Sequence, residues 1–384
     1  MPTLELRNLG GLVTGRLGDG RRDVDAIRVE DGRISDLAST GAAETVVDCA
    51  RAVAVPGLID SHAHVVFGDW TPRQSALGWI ESSMHGGVTM MMSASEVHLP
   101  GRPHDAEGVK ALAITAQRAF ERFRPGGVKV LGGALIIEPE LQESDFLWLA
   151  ERGVGLAKVG FGAFGSQSEA APLVCAAQAA GFVVMNHTGG ASIPDSSPVT
   201  IDDVLALRCD IIGHANGGPT ALPDKDLPRL FDAPGAIQLV QAGNLRSSLR
   251  ILELARERDA LDRIVLATDT PTGTGVMPLG MIKTTVEVSS LGRVAATDAL
   301  AMATGNNARV LRRAEGVLDV GAPADIVLLQ APLGGATDDP LAAIENGDIP
   351  GIVCVLIDGE IRTMRSRNTP AAMRQATAER TVLV

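Results

Sequence analysis

At 384 residues the chain can form one large domain with a smaller one attached, and its 45% apolar and 21% charged residues are typical of a folded globular protein. Its net charge of −12 argues against a nucleic-acid partner, since no basic surface is available to offset phosphate repulsion. No apolar run approaches about 18 residues, no signal-peptide pattern is seen, and the four scattered cysteines lack CxxC spacing, so we expect a cytoplasmic protein without a membrane partner.

Short alternating segments at both ends of the chain indicate β-strands. Residues 27–36 read IRVEDGRISD, and the DG at 31–32 predicts a tight hairpin turn between two strands. Residues 351–363 show the same pattern, with a DG at 358–359. We therefore expect residues 1–54 and 315–384 to form one small β domain from the two ends of the chain.

Between the two ends, apolar segments of strand length alternate with helical segments. The eight predicted strands lie at residues 54–60, 87–94, 128–136, 154–160, 182–187, 210–214, 236–241 and 263–269. The clearest helical patterns lie between them at residues 73–86, 106–123, 168–180 and 245–259. Eight strands alternating with helices over about 220 residues predict an α/β fold of the (β/α)8 TIM-barrel type, here residues 55–314, with a doubly wound open sheet as the alternative.

The carboxyl ends of the predicted strands are where a barrel enzyme places its chemistry. The first strand ends in DSHAH at residues 60–64. Because residues i and i+2 of an extended chain point to the same side, His62 and His64 can face one divalent metal ion, and nitrogen ligands suit Zn, Fe, Mn or Ni. For the pair taken alone, a chance HxH in a loop is an equal alternative.

Three further strand ends strengthen the metal interpretation. His187 and His214 end the fifth and sixth strands, and glycines follow each of them, which allows backbone to approach a ligand closely. Asp269 ends the eighth strand, where a carboxylate serves either as a turn former or as the base of a hydrolase. Of the remaining histidines, His85 is interpreted as a helix-end residue. His98 and His104 are interpreted as loop residues, with substrate contact as the less favoured alternative.

A lysine interrupts the fourth predicted strand, which reads GVGLAKVGFG at residues 153–162. A buried ammonium is unfavourable unless it is paired, modified or used, so Lys158 is a candidate functional residue. The adjoining GFGAFG at residues 160–165 matches GxGxxG, but no acidic residue follows about 20 positions later, as dinucleotide binding requires. We interpret that stretch as a barrel loop.

These strand-end residues resemble those of the amidohydrolase superfamily, and the resemblance spans nearly the whole chain. PGLIDSHAHV at residues 56–65 resembles the metal motif of the first strand, and the terminal segments resemble a composite β-sandwich domain. Within the superfamily the chain resembles the enamidases, which open a cyclic enamide. The matching stretches include MNHTGGASIP at 185–194, GHANGGPTA at 213–221 and ATDTPTGTGVMPLG at 267–280.

The resemblance implies a binuclear metal centre with zinc as the first expectation and iron or manganese as alternatives. The implied ligands of one ion are His62, His64 and Asp269, and those of the other are His187 and His214. Where enamidases look to have a bridging glutamate on the fourth strand, this chain has Lys158. We expect Lys158 to carry a CO2-derived carbamate that bridges the two ions, as the strand-4 lysine does in other branches of the superfamily; an unmodified amine paired with a carboxylate is the alternative.

The sequence thus predicts a metal-dependent hydrolase that opens the C–N bond of a small cyclic amide, such as a lactam, enamide or imide. Two divalent ions would lower the pKa of a bridging water from 15.7 toward about 7, and Asp269 would act as general base and acid. Arg73, Thr188 and Asn216 are the predicted substrate-binding residues.

Other functions remain open at the same site. They are deamination of a heterocycle, hydrolysis of an acyclic amide, removal of a carboxyl group, and a non-catalytic scaffold on the same fold. The resemblance also implies a homo-oligomer, either a dimer or a tetramer.

Overall fold

The structure is a computed structural model that describes residues 3–38, 41–65, 73–99, 101–193, 196–271 and 275–380, with backbone only for residues 73–77. Its strands are β1 (Thr3–Arg7), β2 (Gly11–Val13), β3 (Arg21–Arg22), β4 (Ile27–Glu30), β5 (Arg33–Asp36), β6 (Thr45–Asp48), β7 (Val53–Pro56), β8 (Leu58–Ala63), β9 (Val88–Ser93), β10 (Lys129–Leu131), β11 (Leu135–Ile136), β12 (Leu156–Val159), β13 (Val183–Asn186), β14 (Ile211–Ile212), β15 (Ala236–Val240), β16 (Ile264–Ala267), β17 (Ile326–Gln330), β18 (Gly351–Ile357), β19 (Glu360–Thr363) and β20 (Thr377–Arg380).

Ten α-helices of six residues or more lie among these strands in the described part of the chain. They are α1 (Arg73–Met84), α2 (Ala106–Arg122), α3 (Glu143–Ala150), α4 (Ala171–Ala179), α5 (Ile201–Leu207), α6 (Leu245–Glu257), α7 (Gly280–Ser290), α8 (Ala296–Ala303), α9 (Gly305–Val310) and α10 (Pro340–Asn346). The four helical patterns expected at 73–86, 106–123, 168–180 and 245–259 are confirmed as α1, α2, α4 and α6. Within the described residues, none of the helices has the length and hydropathy of a membrane span.

Two sheets combine strands from both ends of the chain. One has the order β20-β6-β1-β4-β5 and the other β19-β18-β17-β7-β2-β3. Both predicted hairpins are confirmed: β4 pairs antiparallel with β5, and β18 with β19. The turn residues of each hairpin have positive φ angles of 51° and 75° in the first and 51° and 74° in the second, the conformation that an Asp-Gly turn favours.

The central strands are parallel and follow one another in space as they do in sequence. One sheet has the order β10-β9-β8 and the other β11-β12-β13-β14-β15-β16. The outer strands of the two sheets also meet, because Ala63 and Thr270 form a parallel bridge and the Asn307 amide donates to carbonyls of both β8 and β16, at 2.8 Å each. The molecule is therefore an α/β protein whose parallel strands alternate with helices.

Two predicted strands are divided by glycine. The expected strand 54–60 separates at Gly57 into β7, which joins a terminal sheet, and β8, which joins a parallel one; a Cβ at Gly57 would lie 2.1 Å from the Thr89 hydroxyl oxygen. The expected strand 128–136 separates into β10 and β11 at Gly133, whose φ is +79° and whose Cβ would lie 2.3 Å from the Ala113 carbonyl. Close approach of backbone to a neighbour thus breaks both runs, although their residues are apolar throughout.

Three apolar clusters organise the interior. The largest packs the outer faces of the parallel strands against the helices. A second fills the space between the terminal sheets. The third contains residues of the parallel strands β8, β9, β13 and β14, together with Ala308 and Leu311 at α9; its strand residues are Ile59, Met90, Met92, Val183, Met185 and Ile211. The helices and the packed strands thus give the polar residues at the carboxyl strand ends a rigid support.

Candidate metal centre

A cavity of about 360 Å³ lies at the carboxyl ends of the parallel strands. The predicted metal ligands all line it: His62, His64, Lys158, His187, His214 and Asp269. The remaining lining residues are His98, Phe161, Gly190, Ala191, Ser192, Gly218, Pro219, Thr220 and Ala242. The fold therefore brings together six side chains that are separated by up to 207 positions in the sequence.

Three of these side chains present ligand atoms to one point. One nitrogen from each of His62 and His64 and one oxygen of Asp269 lie within 4.8 Å of one another. Asp269 Oδ1 is 3.3 Å from His62 Nε2 and 3.1 Å from His64 Nε2. Backbone hydrogen bonds fix the arrangement, because the Asp269 N–H donates to the His62 carbonyl and the His64 N–H to that of Thr270, both at 2.8 Å.

His187 and His214 form the neighbouring half of the cluster. Their ring centroids are 4.5 Å apart, and the ring of His214 is 5.4 Å from that of His62. The Nε2–H of His187 donates to the Gly190 carbonyl at 2.7 Å, which leaves a lone pair on Nδ1. That Nδ1 atom is buried and has no hydrogen-bond partner among the described residues. A buried lone pair without a donor fits a cation, so the donor set suits a divalent metal ion.

Burial favours the neutral form of three imidazoles of the cavity, those of His62, His187 and His214. Desolvation lowers the pKa of His62 and of His214 well below its usual value, with the positive charge of Lys158 adding to the effect. Desolvation also lowers the pKa of His187 to about 4. A neutral imidazole carries a free lone pair, so rings in this state suit a metal ion without first losing a proton near neutral pH.

Lys158 is almost completely buried in β12 and points into the cavity. Burial lowers the pKa of its amine to about 8, an effect that the charge of Asp269 only partly offsets. Its Nζ donates to the Met185 sulfur at 3.2 Å, and no carboxylate of the described residues lies within 4.0 Å of it. A thioether is a weak acceptor, so among the described residues the charge of the amine is offset chiefly by the more distant Asp269.

His98 is a cavity residue that the sequence reasoning placed in a structural role. Its ring lies edge-on to that of His64 at a centroid distance of 4.7 Å, and it lines both the metal cavity and an adjoining chamber of about 510 Å³. Phe161, the other residue shared by the two spaces, packs 4.9 Å from the His187 ring. Because His98 lies in a loop without periodicity, no pattern in the sequence distinguished it from His104.

A buried ion pair holds the loop that carries His98. Arg102 donates through Nη1 to Glu138 Oε1 at 2.8 Å and through Nη2 to the Phe161 carbonyl at 2.6 Å. Glu138 Oε2 in turn accepts from the Ala163 N–H at 2.9 Å. The loop after β9 is thereby tied to the loops after β11 and β12. Neither Arg102 nor Glu138 was singled out from the sequence.

Of the three predicted substrate-binding residues, the structure describes the side chains of Thr188 and Asn216. Thr188 is buried and its hydroxyl accepts from Asn186 Nδ2 at 2.9 Å. Asn216 donates to the Val240 carbonyl and the Ser248 hydroxyl and accepts from the Val240 N–H, each at 2.9 Å. Neither side chain lines the cavity, and the side chain of Arg73 lies outside the described part of the structure. All three assignments stay predictions.

Comparisons with known proteins agree with this arrangement. The model of the amidohydrolase family matches residues 222–362. Enamidase from Eubacterium barkeri is 42% identical over 378 residues, which cover 97% of this chain and 98% of that protein. Imidazolonepropionase from Mycolicibacterium smegmatis is 28% identical over 406 residues, covering 94% of this chain and 98% of that protein.

Solved structures show the same relationship. The crystal structure of enamidase has a TM-score of 0.93 to this chain at 42% identity, covering 98% of this chain and 100% of that one. A structure of D-hydantoinase has a TM-score of 0.66 at 15% identity, covering 95% of this chain and 96% of that one, and shows a common fold only.

Proposed function

This chain belongs to the amidohydrolase family, and on that premise we propose that it is a metal-dependent hydrolase that opens the C–N bond of a small cyclic amide, such as a lactam, enamide or imide. The observation that carries the proposal is the convergence of His62, His64 and Asp269 at one point of the cavity. The similarity to enamidase over nearly the whole chain supports the substrate class, and the structure of that protein superposes closely on this one.

The chain's own residues divide the work in this proposal. His62, His64 and Asp269 would hold one divalent ion, and His187 and His214 a second, with zinc first and iron or manganese as alternatives. Such ions supply a hydroxide nucleophile at neutral pH and polarise a carbonyl. Asp269, which faces the cavity, would take the proton that the nucleophile loses as its oxygen bonds to the carbonyl carbon, and would pass that proton to the leaving nitrogen as the C–N bond breaks.

Lys158 enters the proposal as a carboxylated residue. Its neutral amine attacks CO2: a bond forms between Nζ and carbon, one C=O electron pair moves to oxygen, and the nitrogen releases a proton. The product carries one negative charge and two oxygens, so it is able to bridge two cations as a glutamate would. Its burial, the absence of a described carboxylate nearby and the weak thioether partner support this assignment. A ¹³C NMR spectrum of protein supplied with ¹³C-bicarbonate should show a carbamate signal that Lys158→Met lacks.

We also propose the organisation around the site. Residues 55–314 would close into a (β/α)8 barrel, which the contacts between β8 and β16 support. Residues 1–54 and 315–384 would form its composite β-sandwich domain, which the mixed origin of the terminal sheets supports.

The four free cysteines support a reducing, cytoplasmic location. A homo-oligomer, dimer or tetramer, is the proposed assembly, and light scattering would test it.

One experiment tests the function directly. The purified protein is analysed for bound metals and then assayed against a panel of cyclic enamides, lactams and imides, with acyclic amides and amino-substituted heterocycles as comparison substrates. We expect turnover of at least one cyclic amide, its loss on treatment with a chelator, and its return with zinc, iron or manganese. A protein that hydrolyses only acyclic amides, or that is fully active without metal, would contradict the proposal.

A further inference from the structure

Gln238 is a polar residue in the middle of an apolar strand. It is the third residue of β15, AIQLV, in which every residue is buried, and its own side chain is completely inaccessible. An amide group in such a place must satisfy two donors and an acceptor from within the protein. Its partners are found at the metal centre, although Gln238 itself does not line the cavity.

The directions of its hydrogen bonds follow from one fixed donor. The backbone N–H of His214 lies 3.2 Å from Gln238 Oε1, and a backbone N–H can only donate. The opposite atom, Nε2, donates to the Ser61 hydroxyl at 2.9 Å and faces the Ser61 carbonyl at 3.3 Å. The amide is thereby oriented with its oxygen toward His214 and its nitrogen toward Ser61. No other orientation satisfies both contacts.

The same oxygen determines the state of the His62 ring. Gln238 Oε1 is 2.7 Å from His62 Nδ1, and since an amide oxygen only accepts, Nδ1 carries the proton. The lone pair of the neutral ring is therefore on Nε2. That atom faces the Asp269 carboxylate at 3.3 Å, where two electron-rich atoms repel each other unless a proton or a metal cation lies between them.

We propose that Gln238 is a positioning residue of the metal centre: its single oxygen holds His62 in the Nδ1–H form, which directs Nε2 at the metal, and ties that ring to the backbone of His214. Two ligands from different strands, β8 and the end of β14, thus share one acceptor. That His62 and His214 bind metal rests on the proposed function. The positioning role of Gln238 goes beyond the proposed function, because Gln238 would orient the ligands before any ion binds.

The chain offers a matched control in Gln330. This residue is also buried in a strand, β17 of a terminal sheet, where its Nε2 donates to the Ala50 carbonyl at 2.7 Å. Gln238→Met and Gln330→Met remove the same amide in favour of a side chain of similar length. Both should lower the unfolding midpoint, but only the first should affect the metal ligands.

The first measurement needs no variant and no metal. In wild-type protein labelled with ¹⁵N-histidine and stripped of metal, long-range ¹H–¹⁵N spectra report which ring nitrogen carries the proton. We expect His62 to be protonated on Nδ1, in contrast to His187, which should be protonated on Nε2. His62 protonated on Nε2 in the wild type would overturn the inference, whatever the variants do.

The second measurement is metal affinity by competition with a chromophoric chelator, using zinc as the probe. We expect Gln238→Met to bind zinc about 10- to 100-fold more weakly, as is usual on loss of an outer partner of a metal-bound histidine, and to lose the Nδ1–H preference of His62. Gln330→Met should bind as the wild type does. Gln238→Glu, which keeps an accepting oxygen, should retain the His62 tautomer and most of the affinity.

The outcomes separate this inference from the proposed function. Equal zinc affinity in Gln238→Met and the wild type would overturn the role of Gln238 and leave the hydrolase proposal standing. A wild type that has the expected tautomer but binds no divalent metal would overturn the proposed function, and with it the assignment of Gln238 as a residue of a metal centre.

Discussion

Two lysines in the parallel region, one on β10 and one on β12, have opposite surroundings. Lys129, at the start of β10, places its Nζ within 3.1 Å of three carboxylates, those of Glu315, Asp325 and Asp358. Although burial acts against it, these charges raise the pKa of Lys129 above its usual value. Lys158, in β12, has a sulfur as its partner, and burial lowers its pKa.

The contrast separates a structural cation from a reactive amine. At the amino end of the strands, Lys129 joins the parallel region to the C-terminal segment through charge pairing. At the carboxyl end, Lys158 is held in a cavity that provides no counter-charge beyond Asp269, which suits an amine that is to be modified. The same residue type therefore stabilises the fold at one end of the strands and, in our proposal, serves chemistry at the other.

The largest expected effect comes from replacing Lys158. Lys158→Met removes the proposed bridge while it keeps the volume of the side chain, so we expect activity to fall by more than the about 10- to 100-fold that loss of an outer partner of a metal ligand costs. The unfolding midpoint should stay close to that of the wild type, because no ion pair is broken. Steady-state kinetics and thermal melts measure the two effects.

Lys158→Ala sharpens this test, because the space it opens should admit a short carboxylic acid. Formate or acetate should restore part of its activity, whereas neither should help Lys158→Met. If Lys158→Met retained wild-type activity, the contrast between the two lysines would have no functional meaning.

Replacing Lys129 should give the reverse pattern. Lys129→Met leaves the buried Asp325 without its counter-charge, whereas Glu315 keeps Arg313 as a partner, and breaking a buried pair in this way costs about 3–5 kcal/mol. We expect a large fall in the denaturant midpoint with kcat and KM of the folded fraction unchanged. A variant that kept its stability but lost activity would contradict the assignment of Lys129 as a structural residue.

The pH dependence of the unfolding free energy should also differ between the wild type and Lys129→Met. The raised pKa of Lys129 stabilises the fold fully below its unfolded value of 10.5, and this contribution is lost as the pH rises through the folded value. The difference in unfolding free energy between the wild type and Lys129→Met should therefore shrink above about pH 10.5. The buried thiols, whose pKa values are raised, titrate in both proteins and cancel in the difference.

The smallest expected effect concerns Arg102, a paired cation beside the cavity. Arg102→Lys keeps the charge but cannot donate to Glu138 and to the Phe161 carbonyl in the same geometry. We expect KM to rise by about tenfold, the equivalent of one hydrogen bond of about 1.4 kcal/mol, with kcat and bound metal little changed. A change in metal content with no change in KM would show that the pair supports the ligands and not the loop that carries His98.

Much of this molecule follows from its sequence because the signals are local. Each of the eight apolar runs contains all or part of a parallel strand, and the two Asp-Gly pairs predicted both hairpins. The cluster of His62, His64 and Asp269 was also expected, since each of these residues directly follows or ends an apolar strand.

What the sequence did not reveal depends on contacts between distant residues. His98 meets His64, and Arg102 meets Glu138, only because loops from different strands converge. Gln238 is different, because its position inside the apolar run AIQLV is visible in the sequence. It is a polar residue within a predicted buried strand, as Lys158 is. The division at Gly57 had none, because the apolar residues on both sides are equally suited to either sheet.

The mixed origin of the terminal sheets has a consequence for biosynthesis. Strand β7 pairs with β2 and β17, and β17 is made some 270 residues later, an interval of about 14–54 s at roughly 5–20 residues per second. During that time the first strands have unpaired edges and an uncovered apolar face. We therefore expect nascent chains truncated before β17 to be protease-sensitive and to associate with chaperones. This should hold although the parallel region between β7 and β17 has already been synthesised.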